Sequence, residues 1–362
     1  MISIKFIRIL LLCGLVLSLG VALKPDRAIP FAPALFAQDS PDKKPPLRRQ
    51  QPKQAAEQEE DRPQGQTAIS VSVDLVSLQV LVQDDKGNVI TGLRPGNFTI
   101  YEDNVKQEIV NFSPVDANIT VVMLVEYSNN IRYFLNEIWS AMYYFANSLR
   151  KEDWVAVIGY DLRSTILCDF TQNRQELNDA LRRFMYPAYW ESNLSDALID
   201  ALDRTQEVEG KVAVLLISTG LDTLSRHTYE DALNKCKEAN ASVYAIGLGQ
   251  NFRIRADAAG MISNEASIDL LMADNRLRSF ADFSGGASYF PRFETELPQI
   301  FGNISQLLRS QYSIAYTSSN TVKDGKFRKI RVEVKADEIV DKIGKPAKLK
   351  VVTRKGYRAR ES

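Results

Sequence analysis

The stretch Ile119–Asn130, ITVVMLVEYSNN, constrains the fold more than any other part of the chain. Seven of its first eight positions are apolar or β-branched, with no polar alternation. A strand of that kind is buried on both faces, which places it at the centre of a parallel sheet covered by helices. The run stops at Glu126 and is followed by Tyr127, Ser128, Asn129 and Asn130. A carboxylate, a hydroxyl and amides therefore stand just past the carboxyl end of a central strand, the rim where open α/β sheets bind ligands.

The residues around this strand repeat its logic. Trp154–Tyr160, Val212–Ser218 and Ser242–Leu248 read as further buried strands, and Ala287–Phe290 as a short one. Helical spacing of apolar residues predicts helices over 131–149, 174–184, 194–208, 229–239, 268–283 and 294–310. The Thr165–Phe170 strand follows Trp154–Tyr160 through a turn too short for a crossover helix, so the two are expected to be antiparallel neighbours. Residues 250–265 carry little pattern and read as an insertion.

Both flanks alternate with period two instead. Ser70–Val82, Phe98–Tyr101 and Gln107–Phe112 precede the α/β section, and Gln311–Thr317, Lys326–Val334 and Ala347–Thr353 follow it. Either set alone leaves an apolar face in water and open edges, so the two are expected to pair into one small β-sandwich with the α/β domain inserted between them. At the amino end, Lys5 and Arg8 precede the apolar run Ile9–Leu23, with small residues at Ala34 and Ala37. This is the pattern of a secretory signal peptide cut after Ala37, the alternative being a retained anchor helix. Residues 38–66, rich in Gln, Pro, Lys, Arg and Glu, cannot bury enough surface to order themselves. The expected plan is a signal peptide over 1–37, a linker over 38–66, a half β-module over 67–117, the α/β domain over 118–310 and the completing strands over 311–362. A secreted, periplasmic or cell-envelope location follows, with no integral membrane span after cleavage.

Several functions are disfavoured by composition. Lys plus Arg and Asp plus Glu both number 45, so the net charge is zero and offers nothing to a nucleic acid. His227 is the one histidine, which removes mechanisms needing several imidazoles. Gly247-Leu-Gly249 lacks the third glycine of a dinucleotide loop, and no G-x-S-x-G surrounds Ser128. Beyond Cys13 in the leader, only Cys168 and Cys236 remain, and they are expected to be free thiols.

The rim sequence, together with ESNLSDAL and ISTGLDT further on, resembles a von Willebrand factor type A domain with its metal-ion-dependent adhesion site. The flanks DLVSLQVLVQDDKGNVITGL, FTIYEDNVKQEI, LRSQYSIAYT, DGKFRKIRVEV and RKGYRA resemble those of bacterial, notably acidobacterial, VWFA-related proteins. The resemblance spans about Val71 to Ala359 and implies a Rossmann-like, mostly parallel sheet flanked by helices. Its pattern is D-x-S-x-S after the first strand, a threonine before the L-x-D-A helix and an aspartate on the fourth strand. Here those positions hold Glu126, Ser128 and Asn130, then Ser192, then Thr219 with Asp222 nearby. If a Mg²⁺-like ion bound, these six would be its ligands. Such an ion takes oxygens at about 2.0–2.1 Å and usually one or two carboxylates. The resemblance implies a non-enzymatic, extracytoplasmic adhesion module that engages a protein partner through this degenerate site. The alternatives are an envelope structural component with a vestigial site, and a carboxylate-based hydrolase using Glu126 or Asp222.

Overall fold

The computed structural model describes residues 75–113, 118–182, 189–206, 208, 210–250, 253–254, 263–335 and 348–359. The leader, the linker, the strand residues before Leu75 and most of the expected insertion lie outside the described residues.

The central strand is β5, Ile119–Glu126, and all eight of its residues are buried. Its neighbours are β6, Trp154–Tyr160, and β8, Lys211–Ser218, both parallel to it. Beyond β8 lie β9, Ser242–Gly247, and the two-residue β10, Ser288–Tyr289; beyond β6 lies β7, Ser164–Thr171. The sheet order is β10-β9-β8-β5-β6-β7, with β7 the antiparallel edge strand that the short turn requires.

Helices cover both faces because consecutive strand residues point to opposite sides. Val121, Met123 and Val125 pack with α1, Leu135–Ser148, α2, Arg174–Arg182, and α6, Leu297–Arg309. On α1 the buried residues Ile138, Ala141, Met142 and Phe145 form one helical stripe. Val122 and Leu124 face α3, Leu194–Arg204, α4, Tyr229–Glu238, and α5, Asn264–Ser284. Helix α4 begins at a reciprocal cap in which Asp231 N–H donates to Thr228 Oγ1 at 3.2 Å and Thr228 N–H donates to Asp231 Oδ2 at 2.8 Å. Cys168 lies in the first core and Cys236 in the second, and neither is in a disulfide.

Strands from the two ends of the described chain interleave. Leading into the α/β section are β1, Leu75–Gln83, β2, Phe98–Glu102, β3, Val105–Gln107, and β4, Ile109–Ser113. Leaving it are β11, Tyr312–Thr317, β12, Phe327–Val334, β13, Lys350–Val352, and β14, Gly356–Arg358. They build two antiparallel sheets, β13-β1-β11-β4 and β14-β12-β2-β3. Leu78, Val80, Ile100, Tyr312, Ile314 and Ile330 from both sheets share one core. The single strand expected over Gln107–Phe112 divides at Glu108. Asp103 and Asn104, both at positive φ, fold β3 tightly back on β2, and the chain then crosses to the other sheet as β4.

The passage between these sheets and the α/β section is tied by the fully buried Asp153. Its Oδ1 accepts from Ile119 N–H at 3.0 Å, where β5 begins. Its Oδ2 accepts from Arg150 N–H and from Arg309 Nη2, each at 2.7 Å, and Arg309 is the last residue of α6.

Candidate functional site

The alternation of the strands decides what meets at the rim. Tyr160 packs in the same core as Val122 and Leu124, so Glu126, Tyr160 and Ser218, at the ends of β5, β6 and β8, turn to one face of the sheet. Glu126 pairs in register with Tyr160. Ser218 ends β8, on the other side of β5.

Glu126 is fully buried and surrounded by neutral donors. Ser128 Oγ donates to its Oε1 at 2.5 Å. Ser218 Oγ at 2.9 Å and Thr219 N–H at 2.7 Å donate to Oε2. The Thr219 hydroxyl is shared between the two oxygens, at 3.1 and 2.9 Å. Each hydroxyl also accepts from the backbone N–H two residues on: Ser128 from Asn130, Ser218 from Gly220 and Thr219 from Leu221. Tyr160 Oη, reaching over β5, donates to Ser218 Oγ at 2.8 Å. Burial pushes the Glu126 carboxyl up, against the opposing pull of these donors. Burial and the adjacent Glu126 push the Tyr160 phenol well above its usual value.

Of the six residues singled out in the sequence, Glu126, Ser128 and Thr219 are in direct contact. Ser192 is buried beside the Tyr160 hydroxyl, and its Oγ makes no hydrogen bond of good geometry. Asn130 turns outward, its Nδ2 donating to Trp190 O at 3.2 Å. Asp222 is engaged elsewhere: its Oδ2 accepts from Ser195 Oγ at 2.5 Å and Ser195 N–H at 3.0 Å, and its Oδ1 from Ser225 N–H at 3.2 Å. Tyr160 and Ser218 complete the knot and were not anticipated. The one signal for them is a polar atom on the last residue of a buried run, in phase with Glu126.

The donor set does not fit a divalent cation. Glu126 is the one carboxylate in the knot, its lone pairs already face protein donors, and the hydroxyls beside it both donate and accept within the chain. Among the described residues, no three His, Cys, Asp or Glu side chains converge to hold a metal.

A second polar cluster stands beside the rim, around a cavity of about 220 Å³ lined in part by Ser195, Asp222, Ser225, His227 and Arg276. Asp196 accepts from Arg226 N–H, from His227 N–H and contacts His227 Nδ1 at 2.7 Å. Burial opposes ionisation of Asp196, yet these donors outweigh it and hold the carboxyl below its usual value.

The loops above the knot are joined through residues 189–193. Tyr189 O accepts from Asn129 N–H at 2.7 Å, Ser192 O accepts from Thr223 and Leu224 N–H, and Asn193 N–H donates to Asp161 O at 2.9 Å. The segment thus connects the loops following β5, β6 and β8. It carries Tyr189 and Trp190 outward, 49% and 56% exposed, with Leu224 at 52% on the loop it grips.

Residues 94–267 match the model of the von Willebrand factor type A domain. Solved structures similar to the chain include an aerotolerance-related membrane protein from Bacteroides fragilis, 14% identical, covering 53% of this chain and 98% of that one, with a TM-score of 0.40. Another is the vWF domain of the type V pili tip protein Mfa5 from Porphyromonas gingivalis, 13% identical, covering 53% and 95%, with a TM-score of 0.41. A third is proximal thread matrix protein 1 from the mussel byssus, with a zinc-occupied MIDAS motif, 14% identical, covering 56% and 49%, with a TM-score of 0.43. A search of curated proteins finds no match.

Proposed function

From a chain that carries a von Willebrand factor type A domain, whose relatives typically bind proteins, we propose an extracytoplasmic, non-enzymatic module that binds a protein partner through the carboxyl-end rim of its sheet. The observation that carries this reading is the exposed trio Tyr189, Trp190 and Leu224, held in place by backbone hydrogen bonds from the loops after β5 and β8. Large apolar and aromatic side chains fixed at a rim suit the anchor residues of a protein interface. A non-enzymatic role is supported by the hydroxyls at the site. Ser128 and Ser195 donate to the carboxylates of Glu126 and Asp222, and the His227 imidazole is engaged by Asp196. The extracytoplasmic assignment rests on the leader pattern of the sequence. No helix among the described residues is long and apolar enough to cross a membrane.

The test is capture from the source cell's envelope extract with the purified chain as bait. Trp190→Ala is expected to lose captured partner by at least about tenfold, since truncating an interface hot spot costs about 2 kcal/mol or more. Its thermal midpoint should stay at the wild-type value, because the side chain is exposed. Equal recovery by wild type, Trp190→Ala and Tyr189→Ala would dispose of the rim as the binding face.

A further inference from the structure

A cation binds where oxygen lone pairs converge with nothing else to satisfy them. At the head of β5 those lone pairs are taken. The Glu126 carboxylate offers about four acceptor positions, and four distinct donors fill them: the Ser128, Ser218 and Thr219 hydroxyls and the Thr219 N–H. The hydroxyl oxygens are occupied in turn by the N–H groups of Asn130, Gly220 and Leu221, and Ser218 Oγ also receives Tyr160 Oη. The network closes on itself.

We infer that this site excludes divalent cations, and that Glu126 itself ties the ends of β5 and β8 together through hydrogen bonds, holding the rim in one shape without an ion. The inference concerns the same rim as the proposed binding surface, but it stands whether or not a partner docks there.

Charge supports the geometry. An ion needs formal negative charge to offset its lost hydration, and the knot holds one carboxylate. The nearest candidate for a second, Asp222, is turned to the start of α3 by Ser195 and held there by Ser225. Thr219 adds a proton donor where a ligand would need to accept nothing and give a lone pair. Glu126 also spans its gap fully: a shorter acid would leave room between Ser128 and Thr219, whereas this one reaches both.

The test uses the purified chain and the metals alone. Mg²⁺, Mn²⁺ and Ca²⁺ are titrated separately by calorimetry and by thermal unfolding, with no partner present. The expected result is no saturable heat and a midpoint shift below about 1 °C at millimolar ion, since an ion bound only by the native state would raise the midpoint by several degrees. A saturable response in wild type, or a Mn²⁺ anomalous peak between Ser128 and Thr219 in crystals, overturns the inference. Glu126→Asp/Thr219→Asp shortens the acid and exchanges a donor for a second carboxylate. It is expected to gain Mn²⁺ affinity by at least about tenfold. If it folds and gains nothing, Glu126 is not what closes the site and the inference fails. Should it not fold, Glu126→Gln decides together with wild type: the amide removes the charge and half of the acceptor positions, so a lowered midpoint that no cation restores supports the inference, and a midpoint that is unchanged, or that falls until metal is added, overturns it. Loss of partner capture in Trp190→Ala, by contrast, bears on the binding face alone.

Discussion

Thr219 shows how much one side chain contributes at the rim. Its N–H and its hydroxyl both serve Glu126, so Thr219→Val keeps one bond and removes the other. Urea unfolding should register a loss of about 1–2 kcal/mol, the cost of a hydrogen bond to a buried acid group. Glu126→Ala goes further, stranding a buried N–H and three hydroxyls, and is expected to cost about 3 kcal/mol or more, while Glu126→Gln, which keeps an acceptor oxygen, should cost less than Glu126→Ala. Asp274 on α5 gives a pH signature. It is buried with Oδ1 unpaired, and desolvation, against the partial relief of Arg253 and Arg278, raises its pKa to about 6. A raised carboxyl favours the folded state while protonated, so its contribution is present below the unfolded pKa near 4 and is lost as pH rises through about 6. Asp274→Asn should therefore be more stable than wild type at pH 7.5, by about 1 kcal/mol after allowance for solvent screening, and level with it at pH 4. Glu126, Ser128 and Thr219 were legible in the sequence because each interrupts or follows an apolar run. Tyr160 and Ser218 were not, because a polar tip at the end of a buried strand looks like ordinary strand termination until the partner strands are in register.

Among the elements, the join of α5 to the rim leaves little freedom. Gly220 has φ +78°, and a Cβ there would come within 2.7 Å of Ala273 O on α5. Gly220→Ala would force a left-handed side chain into a helix backbone, and a drop of several degrees in thermal midpoint is expected, with Mn²⁺ making no difference. At the opposite end of the sheet, Asp153 joins the first residue of β5 to the last of α6. Removing one partner of a buried pair typically costs about 3–5 kcal/mol, so Asp153→Ala should be severely destabilising by urea unfolding, and Arg309→Met, whose partner keeps two N–H donors, less so. The elements themselves were mostly readable: apolar runs and helical stripes located β5, β6, β8 and β9 and the helices. The departures have local causes. Helix α1 starts at Leu135 because residues 129–134 first form a 3-10 turn whose cap is Ser128. Strand β14, Gly356–Arg358, was missed because three residues are too few for alternation to show, and only pairing with β12 defines it.

At the scale of the whole molecule, β1, β2 and β4, all ahead of β5, take partner strands from beyond α6. Gln79 and Ser313, 234 residues apart, are joined side chain to side chain between β1 and β11. Removing residues 311–362 should leave β1–β4 with bare edges and an open apolar face, and such a truncation is expected to bind a hydrophobic dye and to aggregate on purification. The same separation sets a timetable during synthesis. At roughly 5–20 residues per second, the ribosome delivers β11 tens of seconds after β1 has emerged. The central domain, whose contacts are nearer in sequence, has time to fold first, while β1 and β4 stay unpaired and open to chaperones. A newborn chain of this design finishes at its beginning, and its early strands are its most vulnerable period in the cell.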